Sequence, residues 1–242
     1  MDWRDEGIVL TLRPLGESGA VVTLLTREHG RHAGLARGGA GRRGRALYQT
    51  GNRLAATWRA RLGEQLGTLS AELIEAHGAR FIEDPLRLAA LASAAALAEG
   101  ALPEREPHRA VYDRFLALLT RMEEDERSAE WPADYARWEL ALLADLGFGL
   151  DLARCAVTGE TQSLTHVSPR TGRAVSAEAA APYRDLLLPL PAFLGGTGTA
   201  RPGEVLQALA LTGHFLEQNI FHPPQGLPAA RGRLIDLLGR RR

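Results

Sequence analysis

Residues 37–45 read RGGAGRRGR, with four Arg, four Gly and no acid. Glycine lets a backbone approach a ligand closely, and arginine supplies a planar fork of donors suited to phosphate. The bias extends further: residues 27–61 hold nine Arg and one Glu. A polyanion is the natural partner of such a surface, and a nucleic acid is the commonest one. The alternative is a solvated loop that keeps the protein soluble. Within the same stretch, residues 39–44 match GxGxxG letter for letter. A dinucleotide site needs a strand before the motif, a helix opening on its last glycine and a later strand carrying an acid. Strand-like sequence resumes at Arg53, and residues 46–51 are too short for that helix. Trp58, flanked by Arg59 and Arg61, has the chemistry of a base-stacking platform. It also alternates with Ala56, Ala60 and Leu62, which predicts a core tryptophan.

A second constellation lies near residue 155. Cys155-Ala156-Val157-Thr158 is followed, after seventeen residues, by Ser176-Ala177-Glu178-Ala179. Cysteine at all four ends would make C-x2-C-x17-C-x2-C, a strong zinc signature. Only Cys155 is present. Thr158 and Ser176 are poor ligands and Ala179 is none, and adding His166 still leaves the set half complete. The sequence therefore predicts no metal and no cofactor, with Cys155 a small buried or half-buried residue, not a nucleophile, and the segment held by Leu164, Val167, Val175, Tyr183, Leu187 and Leu188. No P-loop, HExxH or GxSxG motif occurs, and the carboxylates cluster in one region. No catalytic set is expected.

These residues must be positioned by short elements. Residues 8–13, 20–25 and 53–62 alternate with period two, a further run covers 31–37, a weaker one covers 68–75, and turn residues separate them. Five strands with no helix between them predict a small closed β barrel. From Pro85 onward the period changes to helical: an alanine-rich run to about residue 99, then Val111, Phe115, Leu118, Leu119 and Met122, then Tyr135, Trp138, Leu142 and Leu146 after Pro132. Gly147 and Gly149 end the third helix, a fourth starts near Pro202, and a last short one covers 229–238. Residues 123–126, all acidic, are expected to be a solvated helix end or loop that repels DNA locally.

The 242 residues carry 45% hydrophobic and 24% charged side chains, which excludes disorder over the whole length. A single cysteine excludes a disulfide scaffold. The apolar run 86–98 is too short to span a membrane and contains Arg87. The start, MDWRDEG, is acidic where a signal peptide is basic, so the cytoplasm is the expected compartment. A net charge of zero hides an asymmetry: 11 Arg against 5 acids in 1–61, 8 against 17 in 62–150, and 10 against 7 in 151–242. The acidic middle is read as a scaffold and a docking platform for a partner protein.

The opening GIVLTLRPLGESGAVVTLLTREHGRHAGLARGGAGRR, the later LGFGLDLARCAVTGE, and SPRTGRAVS followed by LLPLPAFL resemble the RecO family of bacterial DNA repair and recombination mediators. The resemblance implies an α+β multidomain chain: an N-terminal OB-fold β barrel (1–80), an α-helical domain (81–150 and 200–242), and a zinc-ribbon-like insertion (151–199). Many members bind zinc there through four cysteines; here Thr158, Ser176 and Ala179 replace three of them. The implied role is one without turnover. It comprises binding single- and double-stranded DNA, annealing complementary strands, pairing with RecR, and engaging the C-terminal tail of the single-stranded-DNA-binding protein. The RecA recombinase is thereby loaded indirectly, at the nucleoid and with no membrane involved. Carried onto this chain, the DNA surface falls on Arg37, Arg42, Arg43, Arg45, Arg53, Arg59 and Arg61, with Arg121 and Arg127 as candidates for the acidic tail. Backbone contacts of this kind hold strands without reading sequence. Two other readings stay open: a protein adaptor with incidental DNA contact, and an RNA-binding OB protein.

Overall fold

The computed structural model describes residues 1–124, 130–195, 199–201 and 203–240. The chain divides into two compact units: 1–124 with 228–234, and 125–227 with 235–242.

The first unit opens with strands β1 (Asp2–Leu15), β2 (Gly19–Thr26) and β3 (Gly30–Ala36). A short helix α1 (Arg42–Leu47) follows, then β4 (Arg53–Arg59) and β5 (Thr68–Glu75). The strands close into a barrel in the order β1-β2-β3-β5-β4, antiparallel except for the β3–β5 pair. A five-stranded closed barrel of this order, with its helix between β3 and β4, is an OB fold. Alternation builds its interior. Val22, Leu24, Ala36, Leu54, Ala56, Trp58 and Leu69 point inward and are buried. Gly34 makes room for the tryptophan: a Cβ there would lie 2.8 Å from that of Leu69 and 3.1 Å from Trp58 Cδ1.

Helix α2 (His77–Arg80) leads to α3 (Pro85–Ala101) and α4 (Arg109–Glu124). Asp84 caps α3, its carboxylate accepting from the amides of Leu86 and Arg87 at 2.9 and 3.1 Å. Helix α3 packs against β1 and β2. Ile8, Leu10 and Leu25 belong to those strands but not to the barrel core, and all are buried. The connection between α3 and α4 is strapped to β3. The Arg105 amide donates to Arg31 O at 2.9 Å, and Arg31 Nε donates to Leu102 O at 2.7 Å.

The second unit contains α5 (Trp131–Asp145), strands β6 (Leu164–Val167) and β7 (Ala174–Ser176), α6 (Ala177–Ala180), β8 (Leu188–Pro189) and α7 (Glu204–Asn219). Helices α5 and α7 pack together. The three strands form a sheet in the order β7-β6-β8. The last helix, α8 (Ala229–Arg240), contributes residues to both units. No described helix is long and apolar enough to cross a membrane.

Several expectations need correction. The β3–β4 connection is not all loop, because α1 occupies six of its residues. Leu62 is 61% exposed, since β4 ends at Arg59 and the chain turns before Leu62 can follow the inward phase. Tyr183 is 60% exposed on a 3-10 turn instead of helping to hold the insertion. Residues 81–124 group with the barrel, not with 130–150, because α3 covers β1 and β2. Glu123 is not solvated: it accepts from His77 Nδ1 at 2.5 Å and also bonds Arg80. Pro202, Asp125, Glu126, Arg127, Arg241 and Arg242 lie outside the described residues.

Candidate nucleic-acid interface

The basic connection is built on glycine. Arg37 follows the last residue of β3, and Gly38 turns the chain with φ +72°. The Ala40 amide then donates to Ser18 O at 3.0 Å, tying the connection to the β1–β2 turn. Helix α1 opens at Gly41, buries none of its residues and has no acid in its first turn. Its Gly44 is seated on the preceding turn, where a Cβ would lie 2.6 Å from Gly39 Cα. Arg42, Arg43 and Arg45 are therefore raised together into solvent on one short helix. Arg45 Nε donates to Ala40 O at 2.7 Å, which leaves the rest of its guanidinium outward. Among the described residues, Arg37, Arg42, Arg43, Arg45, Arg59 and Arg61 form no ion pair.

Strand register relates Arg59 to this end of the chain. Leu35 pairs with Thr68, and Thr68 pairs with Arg59. Arg59 is thus two strands across from the end of β3, roughly 10 Å in the hydrogen-bonding direction. Arg61 is exposed in the loop beyond. Arg53 is set apart from these six. Its Nη2 and Nε donate to Glu6 Oε2 at 2.5 and 3.1 Å, so a carboxylate already occupies it. That bond to Glu6 raises the pKa of Arg53 further.

Arg4 escaped the sequence reading. It is exposed and unpaired among the described residues, and it stands opposite Thr57, diagonal to Arg59. The available signal was the phase of Trp3, which places Asp2, Arg4 and Glu6 on the outer side of β1. Arg105 also escaped it. With φ +63°, it donates to Gln65 O at 2.9 Å, bonds Gly63 O, and lies 5.9 Å from the Trp58 ring. Trp58 itself is 2% exposed and donates to Leu66 O at 2.8 Å, so it is a core residue and no open platform. Trp3 stacks on it at 5.9 Å and on His29 at 4.5 Å. His32 meets both tryptophans edge-on, and neither of its ring nitrogens has a hydrogen-bond partner.

The GxGxxG match fails as a dinucleotide site. Strands β3 and β4 are not neighbours, and β5 lies between them. The cysteine segment does not fit a zinc ion either. Cys155 is buried, and its Sγ accepts from the amides of Ser176 at 3.3 Å and Thr158 at 3.5 Å. Two of the replaced positions therefore surround the one sulfur with backbone donors, but a single thiolate with hydroxyls and a methyl does not make a tetrahedral set. Burial opposes ionisation of this thiol, yet the bonds from Ser176 and Thr158 outweigh it and hold the group down to about 6. Val175, Ala180, Leu164 and Leu187 pack around it. Among the described residues, Glu75, His77 and Glu123 also gather at metal-binding distance, but Arg80 already pairs with both carboxylates.

Comparison with known proteins bears on this arrangement. Residues 1–77 match the family model for Recombination protein O N terminal, and residues 82–228 match Recombination protein O C terminal. DNA repair protein RecO of Rhodospirillum centenum is 54% identical over 239 residues, covering 98% of this chain and 94% of that one. The protein of the same name from a Ruegeria species is 49% identical over 244 residues, covering 100% of both. That of Phenylobacterium zucineum is 50% identical over 240 residues, with 98% of each covered. An OB barrel followed by a helical region, two adjoining family models and similarity along the whole length agree: the chain belongs to the RecO family of DNA repair proteins.

Proposed function

We propose that this chain binds DNA through the exposed arginines of the β3–β4 connection and the end of β4, and that it anneals complementary strands. The observation that carries this reading is the freedom of Arg37, Arg42, Arg43, Arg45, Arg59 and Arg61 from any carboxylate among the described residues. Four of them stand on or beside a glycine-built helix. Arginines without a carboxylate partner exchange counterions for phosphates, and contacts to both strands lower the repulsion between them. The pairing of bases then supplies the specificity, so the reading requires no catalytic group. Arg53 is left out because Glu6 holds it. Family membership supports a mediator role in recombination: RecR and the C-terminal tail of the single-stranded-DNA-binding protein are the partners, RecA is loaded indirectly, and the site of action is the nucleoid.

The test is binding and annealing of labelled complementary oligonucleotides across a salt series. With about six phosphates neutralised on a single strand, log K falls with a slope near −4 against log salt. Changing Arg42, Arg43 and Arg45 together to Glu lowers the magnitude of that slope by about 2 and slows annealing. An unchanged slope in the triple variant moves the site elsewhere, and equal affinity for matched RNA favours an RNA-binding role.

A further inference from the structure

On the outer side of the barrel, beneath α4, lies a cleft of about 1000 Å³. That is the upper end of the roughly 300–1,000 Å³ of small-molecule sites. Strand register lays out its floor in rows. Arg4, Thr57 and Ser70 form one, Glu6, Ala55 and Glu72 the next, and the row of Asp2, Arg59 and Thr68 adjoins them just outside the cleft. Ala55 leaves the middle of the floor open. Tyr112 and Leu116 of α4 line the other side.

Most of the charge in the cleft is already neutralised. Glu6 pairs with Arg53, Asp113 with Arg27, and Asp5 accepts from the amides of Glu28 and His29. Three kinds of group remain. Arg4 stands unpaired at the row next to Arg59. Glu72 is exposed and unpaired among the described residues. The hydroxyl residues Thr57 and Ser70 line the floor.

Resting on the DNA-binding reading above, we propose that this cleft receives one unpaired base of a single strand whose phosphates lie on Arg4 and Arg59. Five carboxylates against three arginines line the cleft, so a phosphate is repelled from its interior while a neutral base is not. The cationic rim equally disfavours a basic peptide. Inside, Ser70 and Thr57 offer hydroxyls to the base edge. Glu72 accepts from an exocyclic amine, as cytosine offers, whereas thymine presents carbonyl oxygens at that position. A base held in a duplex must first leave its stack, so the cleft favours single strands.

The test uses the full-length protein and fluorescence anisotropy with oligo(dC), oligo(dT) and a mixed duplex. The wild type is expected to bind oligo(dC) several-fold, about three to ten, more tightly than oligo(dT), and E72Q to bring that ratio to about one. Ser70→Leu fills the floor from an exposed strand position. It is expected to weaken single-strand binding about tenfold, the worth of one lost base contact, and to leave duplex binding unchanged. E72Q is nearly isosteric and keeps the test sound if Ser70→Leu perturbs the strand. Wild-type affinities and base ratio in both variants, while the Arg42, Arg43, Arg45 triple variant loses binding, would overturn the cleft and leave the DNA-binding reading intact. Should the triple variant bind DNA like the wild type, the DNA-binding reading itself fails, and the cleft with it.

Discussion

Arg53 and Arg42 carry the same side chain in opposite circumstances. One donates to Glu6 across two strands, and the other stands in solvent on a helix that buries nothing. Partner and exposure, not residue type, decide whether an arginine is available to a phosphate. His32 shows the same principle with an opposite sign. It points into the barrel beside Trp3 and Trp58, with both ring nitrogens unpartnered. Burial first, then the nearby charges of Arg105 and His29, holds its imidazole down to about 4. Above the unfolded value of about 6.5 the ring is neutral in both states, and no stability is at stake. As pH falls from there, the unfolded chain takes up a proton that the folded chain refuses, so stability drops until the folded value is reached. The expected loss is on the order of 3 kcal/mol between about pH 6.5 and pH 4. Urea midpoints of the wild type and His32→Phe at pH 7.5 and 4.5 measure it. The variant keeps the ring contacts and is expected to lose distinctly less stability on acidification; equal losses would place the acid sensitivity elsewhere.

At the scale of elements, α1 decides where three arginines point, and Gly44 decides where α1 sits. Its missing Cβ would meet Gly39 Cα at 2.6 Å, and backbone on both sides cannot yield. Gly44→Ala is expected to shift the helix, to destabilise the fold by about 1–2 kcal/mol, and to lower single-strand affinity several-fold, about three to ten. Thermal melts and anisotropy check the two effects separately. The sequence did not reveal this helix, because four glycines in nine residues carry no apolar period and read as coil. Strand β5 has the bounds of the run 68–75, although that run is a weak one in the sequence. The first six residues of β1 were not legible, because charged Asp2, Arg4, Asp5 and Glu6 hide the alternation that Trp3 begins. Helices α3, α4 and α5 follow their apolar spacing closely. The Arg53–Glu6 pair could not be read at all: its partners are separated by 47 residues, and only barrel closure brings them together.

At the scale of the whole molecule, similarity and packing draw the first boundary differently. The N-terminal family model ends at residue 77, whereas the compact unit runs on to residue 124 and takes up 228–234. The reason lies on the outer side of β1 and β2. Ile8, Leu10 and Leu25 are 0%, 1% and 0% exposed, and Leu10 lies beside Leu88, Leu91 and Ala95 of α3. Uncovering one such side chain costs about 1.5–3 kcal/mol, so removing α3 forfeits about 5–9 kcal/mol in all. A small domain has only about 5–15 kcal/mol of stability to lose. A fragment of residues 1–77 is therefore expected to aggregate or to lack a cooperative melt, although it contains every strand of the barrel. A fragment of residues 1–124 keeps α3 and α4 and is expected to melt cooperatively and to bind single strands through α1. Calorimetry of the two fragments decides the matter: a sharp transition from 1–77 would mean that the barrel core alone suffices, and that the burial of Ile8, Leu10 and Leu25 contributes little.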